Sequence, residues 1–423
     1  MITYNKVYLF LVYLAIFFNL GFLNLFGQFE VLNMFLAVLI SIFAFVVYLS
    51  QPNKKKIYEK WIYVFLILTY IVFLYHIYNF HKLNLTEMTF SSAFSNYDGV
   101  IILLLLFPIY ELLCSNKKEK FIHGMIMLGF AALFLRLAIW ILYNFTAFHP
   151  ANYLIHAVTW RRTVLGHNFM RMSGTFLDVF LLIYSLNELL KNFHFKSKIK
   201  MKYLISVIFL FFYVIVVSQY RMILVAYTLI LICMILIWSH NSKNKSLSVF
   251  LTALFIIILG VGNIDIIKEF INGFSVNSEN GGSTAVRLDG IQYFWNLWQS
   301  TDKLNGLGFM TDNVQAGWNI YWFSDYGILA SLFQFGFLGF FSYMIPFLAG
   351  LITTIKHFFS LSNIYVVGFT IYIISTIFTF DPMSNHFIAL MPIYLALMLN
   401  SAYIRKCQYG KSKKFSFYNN TSI

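Results

Sequence analysis

With 423 residues, of which 60% are hydrophobic, 20% aromatic and only 11% charged, the chain excludes a soluble globule, in which about a quarter of residues are charged. So much apolar surface requires hydrocarbon as its solvent, and helices are the expected spanning form because each satisfies its own backbone. The net charge of +14 would point a soluble protein toward nucleic acid, but its distribution gives it another cause and no nucleic-acid partner is expected.

The first apolar run, near 7–26, has no small-residue cleavage site after it and is expected to stay in the chain as a helix. Further runs of spanning or near-spanning length fall near 31–49, 61–79, 100–114, 121–143, 174–190, 203–217, 222–238, 247–262, 326–353, 364–380 and 386–403. The expectation is an all-α polytopic membrane protein with about 12 transmembrane helices, forming a single membrane domain over 1–423. The ten-residue alternation of a membrane barrel is absent. Cys114, Cys233 and Cys407 show neither a disulfide framework nor metal-ligand spacing.

Lysine sets the orientation. Lys54 to Lys56, Lys117 to Lys120, Lys196 to Lys202, Lys243 to Lys245 and the Arg405 to Lys414 tail fall on one side when the runs alternate. With Lys6, Lys60, Lys191 and Lys356 that side holds 21 of the 30 basic residues. The positive-inside rule makes it cytoplasmic and puts both termini there. The opposite face then carries a segment near 80–99, a loop of 144–173, the Ser218-Gln219-Tyr220-Arg221 turn, and a large loop of 263–325 between the ninth and tenth runs. Long connections more often carry function than short ones.

Arginine is segregated the other way. Of seven arginines only Arg405 is cytoplasmic; Arg161, Arg162, Arg171, Arg221 and Arg287 fall on the outer face and Arg136 within the fifth run. A guanidinium grips phosphate or carboxylate with a planar fork that ammonium lacks. Arg287, Arg221, Arg162 and Arg171 are therefore candidates for holding an anionic, phosphate-bearing ligand, with pairing to outer-face acids as the structural alternative. Arg136 lies about 10 Å below the outer surface at 1.5 Å per residue, level with Asp178, and is expected to pair with it, to reach the ligand or to snorkel to the surface.

Within the large loop, Leu288, Ile291, Trp295 and Trp298 recur at helical spacing behind Arg287. They predict a short helix lying in the membrane interface, where tryptophan is favoured. Asn305-Gly306-Leu307-Gly308 follows as a turn allowing close backbone approach, then Ser324-Asp325-Tyr326-Gly327 and a helix in which Gly327, Gly336 and Gly339 would allow close packing.

That order of features resembles the bacterial O-antigen and capsule polymerase/ligase superfamily, the Wzy-like proteins. The match rests on the arginine-bearing helix, the Gly-x-Gly turn, the Ser-Asp-Tyr-Gly entry to a Phe-Gly-Phe-Leu-Gly helix, and the Ser218 to Arg221 turn. The motifs cover 218–221 and 287–340, while the plan of many helices and one dominant outer loop covers nearly the whole chain. The resemblance implies glycosyl transfer on the outer face of a bacterial plasma membrane, polymerising O-antigen, capsule or exopolysaccharide repeats. A glycan on undecaprenyl pyrophosphate would be moved onto another lipid-linked repeat unit, without cofactor, nucleotide sugar or metal. Its implied partners are the undecaprenyl-pyrophosphate-linked oligosaccharide, membrane lipids, and the flippase and chain-length regulator proteins of the same pathway.

In residue terms Arg287 and Arg221 would hold the leaving pyrophosphate, helped by Arg162 and Arg171. Ligase-type relatives place a histidine ahead of the helix that begins near Asp325; here Asn319 and Asp325 stand instead. The base for the acceptor hydroxyl is then Asp325 or His386. A flippase or other transporter of lipid-linked oligosaccharide, or a polysaccharide ligase, is the competing expectation. Transporters commonly show two similar halves with broken helices, and no such repeat is visible.

Overall fold

The computed structural model describes residues 4–23, 30–80, 89, 97–146, 161–164, 167–194, 201–241, 282–310, 313–316, 319–379 and 388–419. The predicted ninth run, 247–262, and His386 lie outside them. The described chain is mostly helical. It comprises α1 (Tyr4–Asn19), α2 (Glu30–Ser50), α3 (Trp61–Tyr78), a 3-10 stretch Asp98–Leu105 running into α4 (Leu106–Leu113), α5 (Lys118–Phe145) and α6 (Asp178–His194). Then come α7 (Met201–Phe212), α8 (Arg221–Asn241), α9 (Gly282–Gln299), α10 (Ile328–Lys356), α11 (Ile364–Thr376) and α12 (Leu390–Asn419). Every predicted apolar run inside the described residues coincides with a helix.

Among the described residues six helices are long and apolar enough to cross a membrane: Val31–Ser50, Trp61–Tyr78, Lys118–Phe145, Met201–Ser218, Arg221–Asn241 and Ile328–Lys356. Their outward faces are as apolar as their buried ones. Phe43, Ile71, Phe134, Ile208 and Ile355 are exposed, whereas Ala44, Phe65, Leu133, Leu210 and Phe347 are buried. A helix apolar all round suits hydrocarbon rather than water on its open side.

The expected all-α character needs correction, because the chain also forms two short antiparallel hairpins. Strand β1 (Arg161–Val164) pairs with β2 (His167–Met170), with Arg162 opposite Phe169. Strand β3 (Asn313–Ala316) pairs with β4 (Asn319–Trp322). Both sit in the predicted outer loops. Each strand is four residues long, too short to leave an alternating pattern in the sequence.

Helix α10 is broken. Gly336 has φ 61° and ψ −162°, a conformation essentially reserved for glycine. The break frees backbone groups that hydrocarbon could not satisfy, and the Gly306–Gly308 turn supplies their partners. Leu307 N–H donates to Phe333 O at 2.8 Å and Gly308 N–H to Gln334 O at 2.8 Å. On the far side Phe337 N–H donates to Lys303 O at 3.0 Å and Leu338 N–H to Leu304 O at 3.2 Å. The segment 303–308 is thus inserted into the helix as a plug. His76 on α3 fixes it laterally, with Nε2 2.7 Å from the Asn305 carbonyl, and Tyr97 donates to Met310 O at 2.9 Å.

Among the described residues two hydrophobic cores result. The main one gathers α1 to α8, residues from both halves of α10, α11 and α12. A satellite core contains Phe294, Trp298, Leu307, Met310, Tyr321, Phe323, Tyr326, Ala330, Leu332 and Phe333. It packs α9 onto the β3–β4 hairpin and the first half of α10. The expected stripe on α9 therefore divides. Trp298 is buried with Phe294 and Gly290, but Leu288 and Trp295 remain exposed. Gly290 explains the rotation: a Cβ there would collide with the Tyr326 hydroxyl, so α9 turns its glycine toward that ring.

Candidate anion-binding site

Arg171 is the most enclosed of the arginines described, with 6% of its surface exposed. Its setting begins in the last turn of α7, which widens into a π-helix over Tyr213–Ser218 and ends at Gln219 in the left-handed region (φ 56°). Gln219 N–H closes that turn on Val214 O at 2.8 Å, leaving the Val217 and Ser218 carbonyls to face the strand arriving from β2. Met172 N–H donates to Val217 O at 3.0 Å, and Arg171 Nε to Ser218 O at 3.1 Å. The Tyr220 ring lies against the guanidinium, 4.5 Å from its central carbon, a cation–π contact that strengthens when desolvated. Short π segments often mark functional sites because they redirect carbonyls in this way.

Arg221 opens α8, half-buried. A cation there opposes the helix dipole, whose positive end already favours an anion. Arg287, one and a half turns into α9, forms an ion pair with Asp325 in the 3-10 turn Phe323–Tyr326, Nη2 to Oδ1 3.3 Å. Neither partner is deeply buried, with side-chain exposures of 38% and 30%. Such a pair contributes little to stability, about 1 kcal/mol or less.

Arg221, Arg287 and Asp325 all act on Arg171 electrostatically. Burial pushes the Arg171 guanidinium below its ordinary pKa; Arg287 and Arg221 act in the same direction, while Tyr220 and Asp325 oppose them. Arg171 therefore sits within electrostatic reach of two further arginines and one carboxylate. Guanidinium remains charged in any protein setting, so the cluster keeps more positive than negative charge. Among the described residues, the hydrogen bond that Arg171 makes uses only Nε. The two amino ends of its fork are the groups a planar anion would take.

The remaining predicted residues are placed differently. Arg162 lies on β1, in the hairpin that leads into Arg171; its side chain and the whole of His386 lie outside the described residues. Arg136 is not joined to Asp178 by the expected ion pair. It donates to the carbonyls of Ser173 at 3.0 Å, Gly174 at 2.6 Å and Leu20 at 3.3 Å. Asp178 instead turns back on Thr175, accepting from its N–H at 2.9 Å and from its hydroxyl. The two charges remain in electrostatic reach, but the arginine is spent on tying α1 and α5 to the segment that enters α6. Arg136→Met is accordingly expected to lower stability by about 3 kcal/mol, since the three carbonyls lose a charged donor. A fall in the unfolding temperature of the detergent-solubilised protein checks it; an unchanged temperature would refute the tie.

Sequence reasoning did not single out Tyr220 as the surface beneath Arg171, nor Gly290 as the notch that fixes α9. A tyrosine between Gln219 and Arg221 has no periodic partner to mark it, and Gly290 reads in sequence only as a weak point in a helix. The described protein is thus a mostly helical chain with six helices of membrane-spanning length and a three-arginine cluster beside one carboxylate. No family profile, curated protein or solved structure matches the chain.

Proposed function

We propose that the chain is a multi-pass protein of a bacterial plasma membrane, with about twelve crossings and cytoplasmic termini, that polymerises lipid-linked oligosaccharide repeats on the outer face. The observation that carries this reading is the Arg287–Asp325 ion pair lying, with Arg221, within electrostatic reach of the buried Arg171. A transfer from a polyprenyl pyrophosphate needs positive charge where the diphosphate departs, and fixed charge of this kind is often the largest catalytic contribution. Arg287, Arg221 and Arg171 hold the leaving diphosphate, with Arg162 as a further candidate. Asp325 or His386 takes the acceptor proton. The lysine bias of the opposite face supports the sidedness, and the resemblance to Wzy-like polymerases supplies the substrate class.

A flippase is the second reading, and one observation favours it: α10 is interrupted at Gly336, as transporter helices often are. In transporters, however, the freed groups face a substrate or ion, whereas here residues 303–308 occupy them. The balance therefore lies with the enzyme. Deleting the gene and separating surface glycan on a gel discriminates the two. Chains of a single repeat are expected; loss of all surface glycan with lipid-linked units trapped inside would establish the flippase instead.

A further inference from the structure

Asp325 occupies an unusual position for a base. Among the described residues it is held by no hydroxyl or backbone donor but by Arg287, the residue that should be gripping the ligand. It also lies in the field of Arg171, whose guanidinium makes one described hydrogen bond, through Nε, and otherwise lies against the Tyr220 ring. A carboxylate is the same kind of ligand for a guanidinium fork as a phosphate: planar or tetrahedral oxygens accepting N–H donors. Asp325 therefore stands where an incoming anion would compete with it. Both partners of the pair are about one-third exposed, so the bridge is reachable from outside and weak enough to exchange.

We infer that Asp325 is an internal stand-in for the substrate's diphosphate, displaced from Arg287 when the donor binds and thereby released to act as the base. The inference rests on the polymerase reading above. In the resting protein the Arg287–Asp325 bridge keeps the carboxylate engaged and the arginine neutralised. The diphosphate takes over the Arg287 fork, and Asp325 turns to the acceptor hydroxyl. The proton passes from that hydroxyl to the freed carboxylate as the acceptor oxygen bonds to the anomeric carbon. The bond from that carbon to the diphosphate oxygen breaks, and its electron pair leaves with the polyprenyl diphosphate, held by the arginines. No oxidant, metal or further reactant enters. The exchange couples the base to the donor: without a diphosphate in place the carboxylate stays engaged with Arg287, which protects the donor from a premature attack by water.

The test is the affinity of the purified full-length protein, in lipid nanodiscs, for inorganic pyrophosphate. An intramolecular competitor weakens apparent affinity by the fraction of sites it occupies. Asp325→Asn keeps the shape and loses the competing charge, so it should bind pyrophosphate about three- to ten-fold more tightly than the unaltered protein while supporting no polymer in cells. Asp289→Asn on the exposed face of α9 removes the same charge without the bridge and should change affinity less than two-fold. Arg287→Gln should weaken binding. If Asp325→Asn binds no more tightly, or if Asp289→Asn tightens binding equally, the displacement is wrong although the anion site stands. If pyrophosphate binds none of the proteins and Arg287→Lys leaves glycan length intact, the polymerase reading falls and the displacement with it.

Discussion

Arg287→Lys is expected to cut surface glycan from long chains to one or a few repeats, with the protein still present in the membrane at its normal level. Lysine preserves the charge and the reach but not the fork. A point ammonium cannot hold two diphosphate oxygens in one plane, nor keep the geometry by which Arg287 meets Asp325 at 3.3 Å. Loss of one oriented donor to a developing oxyanion costs about 10²-fold in rate, or ~2.7 kcal/mol. Arg171 and Arg221 remain, so transfer slows rather than stops, and slow extension competing with export gives short chains. A glycan ladder alongside an immunoblot of membranes checks both halves. Full-length glycan at normal protein level would remove Arg287 from the phosphate site.

Gly306→Val should be the most damaging change to the fold. Gly306 has φ 73°, and a Cβ there would lie 2.5 Å from Gly336 N, 2.6 Å from Phe333 O and 2.7 Å from Gln334 O. All three are backbone atoms, which cannot swing aside as a side chain would. To make room, the plug has to withdraw from α10 and give up the bonds from Leu307 and Gly308. Each carbonyl then left unsatisfied costs about 1–3 kcal/mol, and the left-handed backbone adds about 1–2 kcal/mol for a residue with a Cβ. A loss of at least ~4 kcal/mol is expected, read as aggregation or a collapsed monodisperse peak on fluorescence-detected size-exclusion chromatography. Leu304→Ala, two residues away and exposed, serves as the comparison and should change little. Equal behaviour of the two would mean that the plug is not holding the break.

Much of this architecture was readable from the chain because its dominant signals are long. Apolar runs such as 61–79 and 222–238 announce helices by length alone, and α3 and α8 lie where those runs predict. Segregation of arginine from lysine marked Arg161, Arg162, Arg171, Arg221 and Arg287 as a group, of which Arg221 and Arg287 act electrostatically on Arg171. What escaped was short-range and steric. The run 326–353 reads as uninterrupted, since a single glycine in a helical pattern is usually tolerated; only the partnering of 303–308 with Phe333 to Leu338 reveals Gly336 as a break. The α9 stripe misled because hydrophobicity ranks Leu288 and Trp295 above Gly290, whereas the fit of Tyr326 into the Gly290 notch decides which face turns inward. The Arg136–Asp178 pairing failed for a related reason. Equal depth on two helices does not weigh the competing appetite of bare carbonyls at Ser173 and Gly174 for a charged donor.

The satellite core also bears on how the chain assembles. All its members, with the rings packed against it, come from 291 to 340, so each contact within it closes a loop of about fifty residues or fewer, at little entropic cost. Joining Arg171 to Arg287 closes a loop of more than about a hundred residues. Local contacts form fast and distant ones slowly. The arm bearing Arg287 and Asp325 is therefore a unit that can be completed as soon as its own stretch of chain is made, and the cluster itself is finished only when that unit comes within electrostatic reach of Arg171. Variants that slow that approach would yield protein that is inserted, folded in its parts and inactive.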